Sequence, residues 1–182
     1  MNLLELAPVL RTRRNHGLEH ATIHVLSGRH PGQAIAGRST PYGFYIFGNL
    51  DTGDVASAAA EALRRLRGGE PHLAVHPGCG TNYVTAGVFA GLGAFAALNI
   101  GGRRRWERLP NAITAATLAL FLAAPLGPML QARVTTTGDM ADLEILSVRK
   151  LPGGPMHYVA TRSTFSNQSS VISVQSSVST VH

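Results

Sequence analysis

The 182-residue sequence is poor in charge and in aromatics, and it has one cysteine, one tryptophan and one lysine. With Cys79 alone, no intrachain disulfide is possible, and the redox compartment is left open. Aromatic residues make up 6 % and nowhere interleave with a basic run, which argues against a base-stacking surface, so no nucleic-acid partner is expected. Charged residues make up 14 %, where soluble domains carry about a quarter. The apolar content, 45 %, is ordinary, so the missing charge must be concentrated in uncharged blocks. The opening segment MNLLELAPVLRTRR does not have the order of a secretory signal, because its apolar stretch is short and its arginines follow it. Leu3, Leu6 and Leu10 fall on one side, so residues 1–13 are expected to lie at a membrane surface.

What is present explains the deficit. No Asp, Glu, Lys or Arg occurs from Pro71 to Gly102, and Tyr83 to Gly101 is almost purely apolar or small. Nineteen helical residues span about 28 Å, close to a hydrocarbon core. The polar segment 102–108 follows, with Arg103, Arg104, Arg105 and an interfacial Trp106, and then a second uncharged stretch from Leu109 to Ala132. Pro125 and Pro128 are expected to kink or end it. Residues 83–132 are thus expected to form a two-helix transmembrane hairpin, crossing more than once, with the lipid bilayer as partner. The net charge of +6 suits anionic headgroups. Gly87 and Gly91, and Ala115, Ala119 and Ala123, supply small residues at four-residue spacing for close helix approach, a pattern that Ala/Gly richness alone also produces. The arginine-rich loop favours its own placement in the cytoplasm, whereas Arg64, Arg65, Arg67, Arg133, Arg149 and Lys150 at the other ends compete. The flanking domain is expected on the cytoplasmic side.

On either side of this block the pattern is α+β. Residues 14–27 read as a helix capped by Asn15, 33–50 as a hairpin around Pro41-Tyr42-Gly43, and 53–67 as a helix stopped by Gly68-Gly69. Residues 72–76, 143–148 and 156–161 read as strands. The expected architecture is a small mixed sheet with two helices, built from residues 14–82 and 133–162 and interrupted by the inserted hairpin. The Ser-rich tail, 163–182, without Asp, Glu, Lys or Arg, reads as disordered.

Two motifs carry chemistry. His16-Gly17-Leu18-Glu19-His20 is an H-x-x-E-H pattern. On a helix, residues i and i+4 share a face, so both imidazoles reach one ion, with Glu19 beside that face. The five residues resemble the inverted zincin peptidases, in which this spacing gives two zinc ligands and a general base for the zinc-bound water. His24 continues the stripe, and a structural hydrogen bond is its expected role. The second motif, His76-Pro77-Gly78-Cys79-Gly80-Thr81-Asn82, adds an imidazole and a thiol, both good zinc ligands, in a turn before the first apolar segment. The same turn also reads as a plain helix start capped by Thr81 or Asn82, with Cys79 a small buried hydrophobe, and Cys79 as a nucleophile lacks an evident orienting residue.

Together, R-N-H-G-L-E-H-A-T-I-H (14–24) and H-P-G-C-G-T-N (76–82) before an apolar hairpin resemble an uncharacterised bacterial family of small membrane proteins, a domain of unknown function. The resemblance covers about residues 12–162, and it implies a bacterial membrane protein without implying an activity. The residues themselves point to a membrane-anchored metal-binding protein with Zn held by His16, His20, His76 and Cys79, hydrolytic if Glu19 serves as base. The alternative is a non-catalytic accessory or scaffold subunit of a membrane complex, or a homo-oligomer, with the same residues in a closed metal site or a hydrogen-bond network. Four converging ligands favour closure, whereas three leave room for water.

Overall fold

A computed structural model describes residues 3–100 and 105–163. The tail expected to be disordered, from 164 on, and the loop residues Arg103 and Arg104 lie outside the described residues.

The first helix, α1, runs from Ala7 to Arg29, with Pro8 in its first turn, where a missing N–H costs nothing. It absorbs most of the segment expected to lie separately at a membrane surface. Asn15, expected as its cap, sits inside it and is buried. The Asn15 side chain donates from Nδ2 to the Thr40 carbonyl (2.9 Å) and accepts at Oδ1 from Thr161 Oγ1 (2.6 Å), pinning α1 to two strands. Strands β1 (Ala36–Thr40) and β2 (Gly43–Phe47) form a hairpin whose turn is Pro41-Tyr42. Helix α2 (Thr52–Arg67) buries Val55, Ala58, Ala59, Ala62, Leu63 and Leu66 at helical spacing and places Arg64, Arg65 and Arg67 in its last turn, favourable for the helix dipole.

The sheet is completed by β3 (Glu144–Lys150) and β4 (Met156–Arg162) in the order β1-β2-β4-β3. Every pair is antiparallel, so the sheet is not mixed. The physical reason is connection length: β1–β2 and β3–β4 are tight hairpins, which cannot make a parallel pair, and β4 returns to pair with β2. The expected strand at 72–76 is instead a 3-10 turn, Pro71–Ala74. Pro71 presets its φ, and Leu73 N and Val75 N close it on Glu70 O and His72 O. A short apolar run does not by itself distinguish strand from turn. The core lies between the two helices and the sheet, with Leu18, Leu26, Phe44, Ile46, Val55, Leu143 and Val159 nearly inaccessible.

Between β2's half of the domain and β3 stands a pair of apolar helical segments. Helix α3 (Gly80–Asn99) is long and apolar enough to cross a membrane, with a mean hydropathy of 1.3 over its best window. Only 6 % of that window is buried, unlike a soluble core helix. Helix α4 (Leu109–Ala123) continues after a bend of 47° into α5 (Leu126–Leu130) and a π-helical turn, Gln131–Thr135. The bend falls at Pro125, as expected of a proline. The two segments pack antiparallel: Arg108 Nη1 donates to Leu98 O (2.7 Å) at one end, and Gly127 lies against Asn82 at the other. The close approach occurs at Gly93, where a Cβ would lie 2.9 Å from Ala115 O and 3.1 Å from the Ala119 Cβ. The alanine stripe therefore sits at the contact, but Gly87 and Gly91 do not; both face open space.

Candidate metal centre

Two backbone segments converge on one face of α1, and its histidines bind three of their carbonyls. Gly17 makes the first approach possible, since a Cβ there would collide with Thr137 O. Thr137 N accordingly donates to Arg13 O (3.2 Å), and Arg13 Nη2 donates to Thr136 O (3.1 Å). The end of the π-turn is thus held against the helix, and His16 Nδ1 lies 3.0 Å from Thr135 O. The Pro71–Ala74 turn places Ala74 O 2.8 Å from His20 Nδ1 and Val75 O 2.9 Å from His24 Nε2. A carbonyl only accepts, so these ring nitrogens carry the protons. The Nε2 atoms of His16 and His20 are then left as lone pairs, the arrangement in which ligand histidines are commonly oriented by an outer hydrogen bond. His24 spends Nε2 on the backbone, the structural role expected of it.

Cys79, immediately before α3, supplies the third group. Its Sγ lies 3.5 Å from His16 Nε2 and 3.5 Å from Thr81 Oγ1. Burial pushes the thiol up, but the neighbouring His20 ring and Thr81 outweigh this and hold it below its usual value. One ligand atom from each of His16, His20 and Cys79 lies within 4.8 Å of the others. Ligands on one tetrahedral zinc stand about 3.4–3.7 Å apart, given bond lengths of about 2.0–2.3 Å, so side-chain shifts of about 1 Å suffice to close the set.

His76, expected as a further ligand, is close by but stands outside this group. Its Nδ1 accepts from Gly78 N–H (3.1 Å), and its ring packs on those of His20 (5.7 Å between centroids) and His24 (4.8 Å). Burial, with His24 and His20 adding to it, lowers its pKa to about 4. Glu19 is 4 % exposed and accepts a hydrogen bond from Ser39 Oγ on β1. Gly37 provides the space, because a Cβ there would strike the Glu19 carboxylate. Desolvation raises the Glu19 pKa, opposed in part by Ser39 and by His16. His16, Glu19, His20, Ser39, His76 and Cys79 all line one cavity of about 380 Å³ between α1, β1 and the 76–81 turn.

Several supporting residues were not singled out from the sequence. Ser39 and Gly37 seat Glu19, and Thr135 orients His16. Gln131, fully buried, accepts from His76 N–H (2.9 Å) and donates to Asn82 Oδ1 (2.6 Å), joining the metal-site turn to both apolar segments. A strongly polar residue near the end of an uncharged stretch is the one signal that marks Gln131. Thr81 and Asn82, considered as caps, are instead inside α3; Thr81 contacts Cys79, and Asn82 Nδ2 donates to Pro77 O (2.8 Å).

Residues 11–148 match the model of a family described as a domain of unknown function (DUF6391). The chain is 37 % identical over 175 residues to an uncharacterized protein of Picosynechococcus sp., covering 87 % of this chain and 85 % of that protein. No solved structure matches it significantly. With three quarters of its length inside the family model and a relative aligned over nearly its whole extent, the chain belongs to the DUF6391 family.

Proposed function

We propose that the protein is a membrane-anchored metallohydrolase, most simply a peptidase, whose zinc-class ion is held by His16, His20 and Cys79 and whose general base is Glu19. The observation that carries this is the convergence of two oriented imidazoles and a thiol on a cavity that also contains a buried carboxylate. With His76 outside the ligand set, three protein ligands would leave a position for water, the pattern of catalytic sites. When bound, such an ion would supply a water of near-neutral pKa. Desolvation raises the Glu19 pKa, the direction that makes a carboxylate a better proton acceptor. Ser39 fixes its orientation from β1.

Anchoring rests on α3 as one span, with Trp106–Thr135, bent at Pro125, as a second. The setting is a bacterial plasma membrane, with the α+β domain in the cytoplasm. One observation favours a second reading: His16, His20 and His24 each bind a separate backbone carbonyl, a network that would also suit a scaffold subunit or homo-oligomer with a purely structural site.

Glu19→Gln separates the two. Under the hydrolase reading the variant keeps its metal and fold and loses turnover of unfolded or membrane-derived peptides by about a hundredfold or more. Undiminished cleavage with metal bound excludes Glu19 as the base. Metal loss without any activity in the parent to begin with supports the structural site.

A further inference from the structure

A second cavity, of about 340 Å³, adjoins the metal centre. It is lined by Thr81, Val84 and Thr85 from the first turns of α3 and by Leu130, Val134 and Thr135 from α5 and the π-turn. Thr81 lines both cavities, so they meet at its side chain, whose Oγ1 lies 3.3 Å from Thr135 Oγ1. The same two residues serve the metal centre, Thr81 beside Cys79 and Thr135 on His16. The groove lies where the apolar segments leave the α+β domain, and two of its lining residues are exposed there, Val84 at 68 % and Val134 at 40 %.

We propose that this groove receives the acyl chain of an amphiphilic, membrane-resident substrate, whose head enters the metal cavity. The proposal rests on the metallohydrolase reading and names the substrate class for the same site. In the groove itself, hydroxyl chemistry favours a hydrocarbon chain over a peptide segment. Thr85 Oγ1 already donates to Thr81 O (2.7 Å), and Thr81 and Thr135 are engaged with each other. The groove therefore offers methyl and methylene groups and no unengaged side-chain hydroxyl. A peptide seated there would bury amides without partners, at a cost that a hydrocarbon chain does not incur. A π-turn, an element often found at functional sites, forms one side and widens the backbone there. Ligand sites of this kind are apolar clefts with a few polar groups converging at one end.

The test uses the full-length protein in detergent, loaded with Co²⁺, titrated with acetohydroxamic and decanohydroxamic acid and read by the cobalt absorption spectrum. Decanohydroxamate is expected to bind at least about tenfold tighter. The preference should collapse in Val84→Trp and Val134→Trp, while cobalt content and acetohydroxamate affinity stay unchanged. A chain-length preference that is the same in parent and variants reflects partition into the micelle and overturns the proposal. A second measurement does not depend on the metal: photolabelling of the parent protein with decanoic acid carrying a terminal diazirine. Label concentrated on residues 81–85 and 130–135, with or without chelator, supports the groove even if no metal binds. Label spread evenly along α3 and α4 overturns it even if the metal centre is real.

Discussion

His16 Nε2 and Cys79 Sγ face each other at 3.5 Å although 63 positions of sequence separate them. One is fixed on α1 by Thr135, the other sits at the start of α3, and no local segment contains both. The metal centre therefore exists only once the helix, the Pro71–Ala74 turn and the end of the second apolar segment have assembled. An ion bound there would therefore bind the folded chain and add to its stability, by an amount that grows with the logarithm of its affinity.

Helix packing in the apolar pair turns on Gly93, which has Ala115 and Ala119 against it, and not on Gly87 or Gly91. Gly93→Ile is expected to destabilise the protein by about 1–3 kcal/mol through overpacking, whereas Gly87→Ala should stay within about 0.5 kcal/mol. Thermal unfolding of both variants in the same detergent checks this. Equal effects would place the helix contact elsewhere.

His157, fully buried on β4, makes one polar contact, Nε2 to Thr52 Oγ1 (3.2 Å), and its Nδ1 has no partner among the described residues. Burial, then Lys150, lowers its pKa from 6.5, with Asp51 pulling the other way. The unfolded chain thus takes up a proton that the folded chain refuses. Stability is fully present above about pH 6.5 and is lost as pH falls from there toward the folded value. In chelator-treated protein, His157→Leu should make the decline between pH 6.5 and 5 shallower, by at most about 1.4 kcal/mol per pH unit. Denaturant unfolding across that range measures it; identical slopes in parent and variant would contradict it.

The sequence revealed the elements that local chemistry decides. Helix α2 is readable from its apolar spacing and Gly68-Gly69, both hairpins from their turns, and the bend in the second apolar segment from Pro125. Sheet order is not local, because β4 reaches β2 across the inserted helices, and nothing in either strand records that pairing. The start of α1 is hidden from the sequence because Asn15 looks like a cap and is instead used by Thr40 and Thr161 in the interior. At the site, H-x-x-E-H spacing identified the pair of imidazoles, and the cysteine motif identified the thiol that stands beside them. Which of His76 and Cys79 would join them depended on a turn whose backbone, held by Gln131, points His76 at His24 and Cys79 at His16. Ser39 and Thr135 carry no motif; their roles come only from the surfaces against which α1 packs.

Cobalt substitution of the purified full-length protein measures the central claim most directly. About one Co²⁺ per chain should bind, with an intense near-ultraviolet thiolate-to-cobalt band. Cys79→Ser should abolish that band, His16→Ala and His20→Ala should each remove most of the bound ion, and His76→Ala should leave both stoichiometry and band in place. Protein that binds no ion, or whose band survives Cys79→Ser but disappears with His76→Ala, would contradict a centre built from His16, His20 and Cys79.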